Sequence, residues 1–165
     1  MSDASEKGTP VEANADVLEV RQLVDGYDTH RVDEVRCRVR RCISETLNVA
    51  DDGRLDRASL IEDLGAESLD FLDLEFRLEE EFGFKLPYAS IPQLVERGLD
   101  SWAEPDGRLC VAALERLHLL LPEVAPDRIS SGLRSHDIPG LFTAETFVRL
   151  VLWHQAIQER AATET

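Results

Sequence analysis

Apolar residues fall at helical spacing in four stretches of the chain, and no stretch alternates with the period of two that a half-buried strand requires. The first predicted helix runs from about Arg31 to Val49. Val32, Val35, Val39, Cys42, Ile43 and Thr46 share one side of it, and Asp28 or Thr29 is placed to cap it. The second runs from Ser68 to Phe82 and stops at Gly83, a residue suited to ending a helix. Phe71, Leu74, Leu78 and Phe82 form its core stripe, which Leu69, Leu72 and Phe76 widen. The third, Leu109 to Leu121, is apolar at ten of thirteen positions, and Pro122 and Pro126 end it. The last runs from about Thr143 to Arg160 with Phe147, Leu150, Val151, His154 and Ile157 inward.

The connections refine this pattern. Between Asn48 and Ser68 lies a long link with a turn at Asp51-Asp52-Gly53, anchored by Leu55, Leu60, Ile61 and Leu64. Residues 1–28 form a flexible, acidic N-terminal segment with too little apolar surface to fold alone, apart from a short helical turn near Val17 to Val24. The expected fold is all-α: a four-helix bundle over residues 29–165, with an inserted helical segment at about 88–140. The inserted helix needs cover on nearly every side. Residues 88–140 are therefore expected to pack beside the second helix and enlarge or cap a cavity near Leu72 and Phe76, the alternative being a partner-docking element.

Charge narrows the partners. A formal net charge of -15 disfavours nucleic acid and anionic membrane surfaces, and no apolar run has the length of a membrane span. The first residues lack the basic and apolar regions of a signal peptide, which points to a cytoplasmic protein. Three cysteines, Cys37, Cys42 and Cys110, are too few for a disulfide framework and read as buried thiols. His30, His118, His136 and His154 show no metal-ligand spacing and no nucleophile–base pattern, so no catalytic residue and no metal site are expected.

The candidate chemistry lies at Asp63-Leu64-Gly65-Ala66-Glu67-Ser68-Leu69-Asp70. Ser68 before an apolar run is a natural N-cap, yet a capping box on it would need Glu or Gln three residues on, where Phe71 stands. A phosphate on Ser68 would instead meet the free N–H groups and positive dipole end of the second helix. That helix carries six acids against Arg77 alone across residues 68–82. Such a face suits docking more than mere solubility, because exposed charge steers encounter while adding little stability. The stripe of Arg31, Arg36, Arg38, Arg40 and Arg41 on the first helix reads as a solvated face that also balances the acidic helix.

Glu67-Ser68-Leu69, preceded by Asp63-Leu64-Gly65 and followed by Asp70 and Glu79-Glu80-Glu81-Phe82-Gly83, resembles the prosthetic-group motif of the acyl carrier protein family. The resemblance covers about residues 30–87 and 141–160, and implies an acyl-carrier-like bundle in a specialised form, with its insertion before the last helix. It departs from the family at Glu67, where the usual residue is Asp. The resemblance implies that Ser68 bears a covalent 4'-phosphopantetheine, attached by a phosphopantetheinyl transferase using coenzyme A and Mg²⁺. The arm's thiol would carry acyl groups as thioesters in fatty-acid, modified-lipid or polyketide-type synthesis, and the protein itself would not be an enzyme. Glu67, Asp70, Asp73, Glu79 and Glu80 would dock acyl synthases and transferases through their basic patches, and Leu72 and Phe76 would line an acyl pocket. A peptidyl carrier fits the acidic helix less well. The rival of another class is an interaction subunit that docks through the same helix with Ser68 unmodified.

Overall fold

The computed structural model describes residues 22, 25–86 and 90–164. Its described part is helical, with five α-helices: α1 (Thr29–Leu47), α2 (Ser68–Phe82), α3 (Ser90–Glu96), α4 (Val111–Leu120) and α5 (Ala144–Thr163). Short 3-10 turns stand at Gly53–Asp56, Pro126–Arg128 and Ser135–Leu141. Two compact units result, one built on residues 25–86 and 139–164, the other on residues 90–138. The expected helical turn near Val17 to Val24 lies almost wholly outside the described residues.

In the first unit, α1 packs against both α2 and α5. Asp28 caps α1 by accepting from the Arg31 N–H at 2.9 Å, and Asn48 ends it in the left-handed conformation. Val35, Val39, Cys42 and Ile43 are its buried face. They meet Phe71, Leu74 and Leu78 of α2 and Phe147, Leu150 and Val151 of α5 in one apolar core. Phe147 ties this core together, its ring 6.5 Å from Phe71 and 6.3 Å, edge-on, from Phe142. Leu55 and Leu60 are buried, so the link between α1 and α2 is packed as expected.

The arginine stripe of α1 is spent inside this unit. Arg31 pairs with Glu159, Arg36 with Asp33 and Glu145, Arg40 with Asp51, and both Arg38 and Arg41 with Glu81. The Arg38 guanidinium also lies 4.3 Å from the centre of the Phe82 ring and donates to the Glu81 carbonyl at 2.7 Å. These bonds staple the end of α2 to α1. The bond from Arg38 holds the Glu81 carboxyl below its ordinary range.

The second unit is built on α3, α4 and the loops around them. α4 is shorter than the predicted Leu109 to Leu121, but Ala113, Leu117 and Leu120 form its buried apolar stripe as expected, with Leu109 buried just before the helix. The expectation that nearly all of it is covered fails at Val111, which is 72% exposed. Arg116 is 1% exposed and donates to the Val95 and Arg97 carbonyls, both at 2.7 Å, satisfying acceptors that the end of α3 leaves open. Isolated antiparallel bridges join Ala103 to Leu109 and Arg108 to Arg134.

Three expectations are corrected outside the site. Cys37 is exposed and Cys110 half-buried, so only Cys42 is a core thiol; burial pushes that thiol up. Ile157 is 43% exposed although its neighbour Ala156 is buried, so it lies off the inner face of α5. α3 was not foreseen. Seven residues with Pro92 inside show too little periodicity for a helix.

Candidate functional site

The loop before α2 is built by two residues. Ser59 donates through its hydroxyl to the Gly140 carbonyl at 2.6 Å and through its N–H to the Asp63 carboxylate at 2.7 Å. Leu60 donates to the Phe142 carbonyl at 3.0 Å and accepts from the Ala66 N–H at 2.8 Å. Gly65 makes the turn that brings Ala66 back to Leu60, at φ 73°, a conformation that glycine adopts without penalty. Ala66 is buried, and the chain emerges at Glu67 and Ser68, both exposed.

Glu67, not Ser68, is the N-cap of α2. Asp70, three residues on, accepts from the Glu67 N–H at 2.8 Å. The N-cap reading of Ser68 is therefore corrected, and Ser68 is the first residue inside the helix. Among the described residues no hydrogen bond engages its hydroxyl. The hydroxyl is open to solvent at the positive end of a helix of 15 residues. α2 stops at Gly83, whose φ of 82° lets its N–H reach the Glu79 carbonyl at 2.8 Å.

Leu69, Leu72 and Phe76 do not join the core stripe. They are 75%, 48% and 68% exposed. With about 100° between successive residues, they share a face opposite Phe71, Leu74 and Leu78. Leu72 and Phe76 line an open cavity of about 240 Å³ together with Glu75, Glu79, Lys85 and Leu86. Ser68 lies on the same side of α2, one turn before Leu72 and two before Phe76. The helical rise puts Phe76 about 12 Å along the axis from Ser68.

The acids divide around this apolar face. Glu79 lies on one flank, and Asp73 and Glu80 on the other. Asp73 pairs with Arg77 at 3.4 Å, and Arg77 also reaches Glu45 at 3.2 Å. Among the described residues no ion pair engages Glu67, Glu79 or Glu80. Glu67, Glu79 and Glu80 thus keep their charge open to a partner, while Glu81 is neutralised at the rear by Arg38 and Arg41.

Sequence reasoning missed Ser59, whose partner lies 81 positions away. It also missed Lys85 and Leu86, which complete the cavity just past the end of α2. The one local signal for Ser59 is the Ser-x-x-x-Asp spacing to Asp63, which supports a side-chain-closed turn.

The family described as the phosphopantetheine attachment site matches residues 37–91, one third of the chain. No solved structure matches the chain. The matched region starts within α1, takes in the Ser59 to Ser68 loop and all of α2, and ends at the start of α3. No helix among the described residues is long and apolar enough to cross a membrane. Residues 37–91 are therefore similar to the phosphopantetheine attachment site, a carrier domain to which 4'-phosphopantetheine is joined covalently.

Proposed function

We propose that Ser68 is the residue that bears the 4'-phosphopantetheine and that the protein carries acyl groups in fatty-acid, modified-lipid or polyketide-type synthesis. The observation that carries this reading is the freedom of the Ser68 hydroxyl. It is exposed, takes no part in the cap, and stands at the mouth of α2 inside the matched region. The residues fit the group. A phosphodiester on Ser68 would meet the positive end of the α2 dipole and the N–H groups of Ser68 and Leu69, since those of Asp70 and Phe71 are taken by the Glu67 carbonyl. When bound, the arm supplies a thiol that holds acyl groups as activated thioesters.

The chain's own residues present that arm. Ser68, Leu72 and Phe76 share a side of α2, and Leu72, Phe76 and Leu86 would offer apolar cover to an acyl group carried on an arm at Ser68. Such cover shelters an acyl chain by removing apolar surface from water. Glu67, Asp70, Asp73, Glu79 and Glu80 give α2 a negative field that draws in partners with basic patches, the phosphopantetheinyl transferase and acyl synthases among them.

Co-expression with a broad-specificity phosphopantetheinyl transferase, followed by intact-mass measurement, tests the reading. One phosphopantetheinyl group is expected on the wild type and none on Ser68→Ala. An unmodified wild-type chain would instead favour an interaction subunit that docks through α2 without an arm.

A further inference from the structure

Ser59 and Leu60 each face two ways. On one side they hold the loop that leads to Ser68. The Ser59 hydroxyl accepts from the Glu62 N–H at 3.0 Å, its carbonyl accepts from the Asp63 and Leu64 N–H groups, and Leu60 holds Ala66. On the other side both reach the segment that returns to the carrier unit after residue 138, through the Gly140 and Phe142 carbonyls. Ser59 is 0% exposed, so water cannot replace these bonds when they break. Only Glu67 separates Ala66 from Ser68.

We propose that Ser59 is a positioning residue, the clasp through which the segment returning from the 90–138 unit sets the geometry of the attachment loop. A shift of residues 139–142 cannot leave this loop in place, because the same two residues bond both segments. The intervening unit is thereby joined through the chain itself to the segment that holds the attachment loop. A partner that displaces this segment alters how Ser68 is offered without touching α2. The functional consequence rests on the assignment of the arm to Ser68; the clasp does not.

Amide hydrogen exchange on the full chain, with no arm attached, tests the clasp directly. In Ser59→Ala the Glu62 and Ala66 amides are expected to exchange at least tenfold faster, while Val39 and Ile43 in α1 keep their rates. Gly140→Val approaches the clasp from the opposite side: its Cβ makes an ordinary contact with the Glu62 carboxylate at 3.5 Å, and its two further methyl groups add bulk beside residues 59–62. It is expected to speed the same loop amides, and it decides the question should Ser59→Ala not fold. Unchanged exchange at Ala66 in Gly140→Val would overturn the proposal. A functional readout follows: transferase kcat on both variants falls while KM, set by the intact face of α2, holds. If KM rises and kcat does not fall, Ser59 does not position Ser68. Failure of the Ser68 assignment would show separately, as a wild type that takes no arm but keeps the exchange pattern.

Discussion

Asp70 holds two roles that paired substitutions separate. Its carboxylate accepts the Glu67 N–H at 2.8 Å at the start of α2, and its charge belongs to the acidic face. Asp70→Ala removes both; Asp70→Asn keeps an acceptor and removes only the charge. Losing a side-chain cap bond costs about 0.5–2 kcal/mol, and losing a favourable charge from the first turn about 0.3–1 kcal/mol. Asp70→Ala should therefore be destabilised by about 1–2 kcal/mol and Asp70→Asn by less than about 1 kcal/mol. For a chain of this size each kcal/mol lowers the melting midpoint by about 2–4 °C. Docking should respond differently, because both variants lose the same charge. Two unit charges 4 Å apart in water exchange about 1 kcal/mol, so kcat/KM for arm attachment should fall up to about fivefold in each, and the difference should fade at 0.5 M salt, an ionic strength of about 0.5 M with a Debye length near 4 Å. Urea unfolding and transferase kinetics on the three proteins give both quantities. Equal destabilisation of the two variants would refute the cap. Wild-type kinetics in both at low salt would refute the docking role.

Other residues give sharper single tests. Glu81→Ala removes the carboxylate that Arg38 and Arg41 share and should lower stability by about 1–2 kcal/mol in urea unfolding, the low end for charge-assisted bonds because the pair is partly exposed. Phe76→Ala should leave the melting midpoint within about 1–2 °C, since the ring is 68% exposed, yet speed hydrolysis of a bound acyl thioester. His154 stacks on Phe84 at 5.5 Å, and burial pushes its imidazole below the ordinary value of 6.5. The unfolded chain then binds the proton more readily, so this contribution is complete above about pH 6.5 and declines as pH falls through the folded value. Melting midpoints at pH 7.5 and 5.5 should drop less for His154→Phe than for the wild type; equal drops would exclude His154 as the cause.

Much of the fold is legible in the sequence because local signals agree with packing. Asp28 and the spacing of Val35, Val39, Cys42 and Ile43 mark α1, and Gly83 marks the end of α2. The outer face of α2 is not legible in this way. Leu69, Leu72 and Phe76 lie on the face opposite the core stripe, and apolar residues on both faces are also what a fully buried helix shows, so the pattern does not tell that this face is open. The cap at Glu67 is hidden because Ser68 is the better capping residue by type, and only the Asp70 bond decides between them. Ser59 is hidden for another reason. Its value comes from Gly140, a contact between distant parts of the chain that no local pattern encodes. The Ser68 motif itself needs no tertiary information, since loop, serine and helix are contiguous.

The central claim is that Ser68, and no other hydroxyl, receives the arm. The measurement that tests it most directly is site-localised mass spectrometry of the full chain after reaction with coenzyme A and a broad-specificity transferase. The account predicts a phosphopantetheinyl group on the peptide containing Ser68, with fragmentation placing it at that residue. A group mapped to Ser59, Ser90 or any other side chain, or modification that persists in Ser68→Ala, would contradict it.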